Sequence, residues 1–292
     1  MTEQENYRGT SVPGRNRVLR TLDVLIEQSN SVWVDAEFGD NLNGEVCRVD
    51  IPFAGITEAF TALQSSMAAG THGTMYIANG NYVMTQQMSS GSDKNITIKC
   101  ESRLGVVVDV QSTRAVGGAS IGQFRTITLI GGTWNRTSVS SQPMFWENPG
   151  RGNMRFIGCN INDITGTRGA IYLIRTLSIE DCHFTSLVGH LINGGGVNSE
   201  GELYIKNSRF EALSNFLCLR AIGYGEIWDN CFIKSYTDGV NSTGFNDPQT
   251  YYFKDCTLKS LLTGINHGAG QAPDYNFLGK CVAKVETDNS FV

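Results

Sequence analysis

NMRFIGCNINDI (153–164), TLSIEDCHFTSL (176–187), GELYIKNSRFEAL (201–213), GEIWDNCFIKSY (225–236) and TYYFKDCTLKSL (250–261) align without gaps on one small residue, Cys159, Cys182, Ser208, Cys231 or Cys256. Three positions before it stand Phe156, Ile179, Ile205, Trp228 and Phe253; two positions after it stand Ile161, Phe184, Phe210, Ile233 and Leu258. Five positions after it come Ile164, Leu187, Leu213, Tyr236 and Leu261. The residue just before the anchor is Gly158, Asp181, Asn207, Asn230 or Asp255, types that accept a tight bend. The anchors are spaced by 23, 26, 23 and 25 residues. Such a period marks a solenoid, whose unit cannot bury its apolar face alone and must stack on the next.

The pattern extends both ways. Upstream, ITLIGGTWNRT supplies Ile127, Leu129, Gly132 and Trp134, with Gly132 lying 27 residues before Cys159. Downstream, YNFLGKCVAKV reads as Tyr275, Phe277, Lys280, Val282 and Val285, with Lys280 as the anchor 24 residues after Cys256. Second short apolar segments (170–174, 190–193, 216–219, 239–241 and 264–266) lie between the anchors. Brief strands with period-2 alternation and polar or glycine corners predict a parallel β-helix. Leucine-rich and helical repeats have other spacings, and neither is present.

The 292 residues accommodate one large solenoid and a small leader. A net charge of -5 argues against a nucleic-acid binder. No apolar run approaches the roughly 18 residues that span a bilayer, so no membrane segment is expected. The N-terminus, MTEQENYRGT, has no basic region followed by an apolar one; the expectation is synthesis in a host cytoplasm without a signal peptide. Of eight cysteines, four share the anchor position, which reads as a column of small buried thiols rather than as disulfides or a metal site. No metal and no cofactor are expected, since no zinc spacing or nucleotide motif is present.

Residues 1–34 read as a leader. NRVLRTLDVLIEQSN places Val18, Leu22, Leu25 and Ile26 on one side of a short amphipathic helix, and Arg15, Arg17, Arg20, Leu22 and Ile26 are candidates for docking to a partner. A strand is expected within SVWVDAEF (31–38). Residues 35–292 then form the solenoid domain, with a helix at about 56–69 and coils over about 74–285. Ile56, Phe60, Leu63 and Met67 fall at helical spacing before a glycine stop. Met75, Tyr76 and Ile77 with Gly80 and Tyr82 follow, and then Asn95, Ile96, Thr97 and Ile98.

This order resembles the opening of the pectate-lyase-like β-helix superfamily, in which a helix caps the first coil. The GDG-type opening of that family survives only in degraded form, as FGDNLNGEV. The resemblance covers roughly residues 35–285 and implies an all-β, right-handed parallel β-helix. Within the superfamily the character is closest to phage tailspike and tail-fibre β-helices. That likeness implies a virion protein, a homotrimer, contact with other virion proteins through the leader, and a face for host surface polysaccharide. The far end of the solenoid needs a cover, either ETDNSFV (286–292) or another subunit.

Outward columns are where chemistry is expected. Two positions before the anchor the column is Ile157, Glu180, Lys206, Asp229 and Lys254, which reads as a ladder of alternating charge. An enzyme, a polysaccharide lyase or endo-glycosidase, would instead use outward carboxylates among Asp163, Glu180, Glu211 and Asp229. Glu180 and Asp229 would stand about 10 Å apart, two coils away, near the separation in inverting glycosidases. One position after the anchor come Asn160, His183, Arg209, Phe232 and Thr257; the next outward column is Asn162, Thr185, Glu211, Lys234 and Lys259. His183, Arg209 and Phe232, with Tyr204 and Tyr252 expected on the same sheet, are candidates for a glycan-binding wall. A structural decoration protein that binds no glycan is the third alternative.

Overall fold

The computed structural model describes residues 30–90, 94–118, 126–146, 153–164, 170–172, 176–186, 192–193, 202–212, 219–220, 225–235, 240–241, 250–260, 265–266 and 274–285. Arg15, Arg17, Arg20, Leu22 and Ile26, and the expected ETDNSFV cover, lie outside the described residues. Among the described residues, no helix is long and apolar enough to cross a membrane.

The chain is a parallel β-helix. Among the described residues the strands form a ten-stranded, a nine-stranded and an eight-stranded sheet. One coil shows the pattern. Asn153–Ile157 lies in the ten-stranded sheet, Asn160–Asp163 in the nine-stranded sheet and Ile171–Tyr172 in the eight-stranded sheet. Each pairs in parallel with its counterpart one coil on: Asn153 with Thr176, Asn160 with His183, Ile171 with Ile192. The short second segments expected between anchors supply the eight-stranded sheet.

The corner between the ten- and nine-stranded sheets follows from residue type. Gly158, Asp181, Asn207, Asn230 and Asp255 all have left-handed backbones, with φ of 61°, 53°, 50°, 52° and 52°. Only glycine and the short amide and carboxylate side chains adopt that region routinely. Asn230 Nδ2 also donates to Asn207 Oδ1 at 3.0 Å, linking two corners. The anchor beyond each corner is buried. The described cysteines are free; Cys159, Cys231 and Cys256 Sγ each donate to a carbonyl of the preceding coil, on Leu129, Ile205 and Trp228. Ser208 fits the same column: its Oγ donates to Lys206 O and accepts from Cys182 N.

The downstream register needs a correction. Phe253 pairs with Phe277 and Lys254 with Leu278, but Thr257 pairs with Val282. One extra residue is therefore held in the last corner, where Gly279 has φ 67° and Lys280 N donates to Asp255 Oδ1. The residue beneath Cys256 is Cys281, not Lys280; Cys281 Sγ donates to Phe253 O at 3.2 Å, the bond its column predicts.

Inward positions pack a continuous run of rings: Trp134, Phe145, Phe156, Phe184, Phe210, Trp228, Phe253 and Phe277, with successive centroids 5.0 to 6.3 Å apart. These lie in the favourable range for stacked and edge-to-face contacts. Phe277 stacks on Phe253 from the last described coil and is half-exposed, as an inward residue becomes when no described coil lies beyond it. Of the residues five after the anchor, Ile164 is 38 % exposed and the others lie outside the described residues.

The helix Ile56–Ser66, a turn shorter than expected, buries Ile56, Ala59, Phe60 and Leu63 against the first strands of the coil stack. Gly73 permits its close approach, since a Cβ there would lie 2.4 Å from Met67 Sδ. The strand Ser31–Val34, assigned from the sequence to the leader, is in fact the first strand of the ten-stranded sheet, paired with 74–77. Its outer edge is covered in turn: Phe53 N donates to Trp33 O and Phe53 O accepts from Asp35 N, both at 2.8 Å. FGDNLNGEV is the loop that makes this return. Backbone N–H donation from Leu42 to Asp40 Oδ1 holds the Asp40 carboxyl below its ordinary range. These bonds cover part of the edge that the first strand of the ten-stranded sheet would otherwise expose.

Candidate glycan-binding face

Two outward surfaces carry the sequence candidates, and they are different sheets. On the ten-stranded sheet, register places Arg155, Ser178, Tyr204, Ile227, Tyr252 and Asn276 in one column and Ile157, Glu180, Lys206, Asp229, Lys254 and Leu278 in the next. On the nine-stranded sheet, one column is Asn160, His183, Arg209, Phe232, Thr257 and Val282; its neighbour is Asn162, Thr185, Glu211, Lys234, Lys259 and Lys284. Tyr204 and Tyr252 therefore do not join His183, Arg209 and Phe232, contrary to the expectation. A corner turns the chain between them, and they flank Ile227 as a half-exposed apolar stripe.

Each carboxylate named from the sequence is engaged. Asp163 is not outward. It is fully buried, four positions after the anchor on the inward side, and forms a bidentate pair with the equally buried Arg136: Nε to Oδ1 at 2.8 Å and Nη2 to Oδ2. The remaining Arg136 donors reach the carbonyls of Gln142 and Thr113. A buried ion pair is tolerable only when satisfied in this manner. Glu180 lies 3.8 Å from Arg155 and Asp229 3.3 Å from Lys254, with Lys206 in register between the two acids. This is the alternating ladder expected of them, and its exposed pairs contribute little individually.

Glu211 is different, because it sits among recognition groups. Arg209 donates through Nε at 2.8 Å and through Nη2 to Glu211 Oε1. His183 Nε2 lies 3.4 Å from the other oxygen, within ion-pair range when the ring is protonated but without hydrogen-bond geometry. The Arg209 guanidinium stands 4.3 Å from the centroid of Phe232. The glutamate thus holds the guanidinium over the ring, a cation–π arrangement. Four of the named residues, His183, Arg209, Glu211 and Phe232, form one cluster on three consecutive strands.

The cluster continues toward the start of the chain as an amide wall. Asn162 Nδ2 donates to Asn135 Oδ1 at 2.8 Å and Asn160 Nδ2 to Thr133 Oγ1 at 3.2 Å. Arg103 reaches across from an earlier corner to bond Asn160 Oδ1 at 2.7 Å and the carbonyls of Cys159 and Asp181. Toward the other end the same column places Lys234, Lys259 and Lys284 in register. The glycan-binding wall expected from the sequence did not include these lysines. Lys284 was hidden by the register: with Lys280 as anchor it falls on the inward side, whereas beneath Cys281 it falls in the outward column. Among the described residues no group of three His, Cys, Asp or Glu is placed to hold a metal.

No family model matches the chain, and no curated protein matches it. Solved structures to which it is similar include the pectin methylesterase from Aspergillus niger, at 14% identity and TM-score 0.46, covering 90% of this chain and 88% of that one. ORF18 of Geobacillus virus E2 is similar at 13% identity and TM-score 0.47, over 94% of this chain and 64% of that one. The PL6 family alginate lyase AlyGC is similar at 10% identity and TM-score 0.49, over 88% of this chain and 40% of that one. Identity this low carries no residue roles across, so the functional reading rests on the geometry of this chain.

Proposed function

We propose that this chain is a glycan-binding virion protein of a phage, of tailspike, tail-fibre or capsid-attached type, which meets host surface polysaccharide with the outer face of its nine-stranded sheet. The observation that carries the binding role is the Arg209–Phe232 stack clamped by Glu211 beside His183. A planar cation, an aromatic face and fixed hydrogen-bonding groups on a rigid parallel sheet are what a sugar chain needs for stacking and directional bonds. Binding is favoured over cleavage because Asp163 is buried in an ion pair and Glu180 and Asp229 are paired with cations. Among the described residues, no two of the named carboxylates face each other unpaired, as two-carboxylate glycosidases require.

The virion setting is supported by the sequence likeness to tailspike β-helices. On the same reading residues 1–34 dock the protein to other virion components through Arg15, Arg17, Arg20, Leu22 and Ile26, and copies associate as a homotrimer.

Binding of the purified protein to capsular or lipopolysaccharide chains of the host tests the proposal. Arg209→Ala and Phe232→Ala should each weaken binding about tenfold or more, the scale of a lost aromatic or charge-assisted contact. Unchanged binding in both variants rejects this face. Shortening of the polymer, stopped by Glu211→Gln, would replace the binding role with an enzymatic one. Deletion of residues 1–30 should abolish incorporation into particles; normal incorporation rules out the docking role.

A further inference from the structure

We infer that the outer face of the ten-stranded sheet docks a second copy of this chain, with the two solenoids running antiparallel. The surface is built from six successive strands, Asn153–Ile157, Thr176–Glu180, Glu202–Lys206, Gly225–Asp229, Thr250–Lys254 and Asp274–Leu278. It lies across the corner from Arg209 and Phe232, so the inference goes beyond the glycan-binding role and stands without it.

Two outward columns carry the argument. In the first, Tyr204, Ile227 and Tyr252 are in register on three consecutive strands and half-exposed. Single exposed apolar residues are ordinary, but three in register make one continuous patch. In the second, Ile157, Glu180, Lys206, Asp229, Lys254 and Leu278 run apolar, negative, positive, negative, positive, apolar. Contacts within the chain, Glu180 with Arg155 and Asp229 with Lys254, account for part of the alternation. They do not account for the apolar stripe beside it, or for the matched apolar ends.

A second copy accounts for both. Consider a twofold axis parallel to the strands, midway between Glu202–Lys206 and Gly225–Asp229. It reverses the coil order of the second copy and keeps each column opposite itself. Lys206 then faces Asp229 of the second copy, Glu180 faces its Lys254, and Ile157 faces its Leu278. In the neighbouring column Tyr204 faces Ile227 and Tyr252 faces Ser178. Along the third outward column, from Asn153 to Asp274, no like charges meet. With the axis moved half a coil, onto Gly225–Asp229, Lys206 would face Lys254 and Asp229 would face itself. The charges therefore select one register, and the resulting dimer is isologous and closed.

Six strands of five residues, at a spacing of about 4.8 Å and a rise of about 3.3 Å per residue, present roughly 500 Å² on each copy. That is the low end for a specific interface, so the dimer forms reversibly with concentration. A twofold contact joins single copies or trimers in pairs, and the assembled species hold an even number of chains.

Sedimentation of the full-length protein over a range of concentrations tests this. The parent should shift to species with an even number of chains, and Tyr204→Ser combined with Ile227→Ser should weaken the shift about tenfold or more. Lys206→Asp alone sets two acids against each other across the axis, and Asp229→Lys alone sets two lysines. Each variant should fail to pair with itself, while an equal mixture of the two should pair again, because each then supplies the charge the other lacks. Loss of folding in either variant cannot produce that rescue. A parent that stays at one or three chains at every concentration overturns the inference, as does a mixture that stays apart. Glycan binding should be the same in all these variants, since Arg209 and Phe232 lie on the other sheet.

Discussion

At the scale of the residue, the corner between sheets depends on one backbone conformation repeated in successive coils from Gly131 to Gly279. Asn230 sits at φ 52° and donates to Asn207. Asn230→Gly should be nearly neutral, whereas Asn230→Val should cost about 1–2 kcal/mol, the penalty of a left-handed backbone for a β-branched residue without a short polar side chain. Urea denaturation of the two variants measures the difference, and equal losses would show that the side-chain bond, not the backbone, matters. Asp163 makes the opposite lesson about legibility. Period-2 alternation places it inward, yet its type argues for an outward position. The partner Arg136 stands 27 residues earlier at the same repeat position, a signal present in the sequence but visible only when the inward columns are read for charge as well as for size. Asp163→Ala should cost about 3–5 kcal/mol because it strands a buried guanidinium. A loss under about 1 kcal/mol would mean that Arg136 is satisfied by carbonyls alone.

At the scale of the element, the anchor column behaves as packing. Burial pushes the Cys159 thiol well above its ordinary range, and it pushes the thiol of Cys100, which lies outside the column but beside Gly132, up to about 12. Both therefore remain protonated near neutrality, where they are poor nucleophiles. A raised folded pKa means that stability is fully present below the unfolded thiol value of 9.0 and is lost as pH rises from there toward about 12 for Cys100, because the unfolded chain then releases protons that the folded one keeps. The denaturation midpoint should therefore fall steadily above pH 9.0, with a shallower fall in Cys100→Ala; an unchanged slope would exclude this thiol as the cause. Most of this column was legible from spacing alone. The last turn was not, because the residue inserted at Gly279 and Lys280 shifts everything after it by one. Strand pairing alone shows where an extra corner residue is absorbed. A one-residue shift exchanges the two faces of a strand, so that single ambiguity decided which column position 284 joins.

At the scale of the whole molecule, the described strands pair only with their counterparts in adjacent coils, while Arg103 bonds across to Asn160 and Asp181 two and three coils on, so stability spreads along the stack mostly as a chain of local interfaces. Trp228, fully buried between Phe210 and Phe253, couples the middle coils. Trp228→Ala should cost about 3–5 kcal/mol and uncouple the two halves. Tryptophan fluorescence and far-ultraviolet dichroism should then report separate transitions, while coincident curves would show that cooperativity survives the gap. The sequence by itself determined the solenoid, its corners, its anchor column and its capping helix, because each rests on a local requirement repeated coil after coil: alternation, a bend-tolerant residue, a small buried side chain. The tertiary structure alone decided which outward residues share a face. Tyr204 and Tyr252 lie close in the repeat to Arg209 and Phe232, yet a left-handed corner puts them on another sheet. Lys284, by contrast, joins Lys234 and Lys259 across coils, because parallel register brings together residues about 25 positions apart while the corner separates near neighbours.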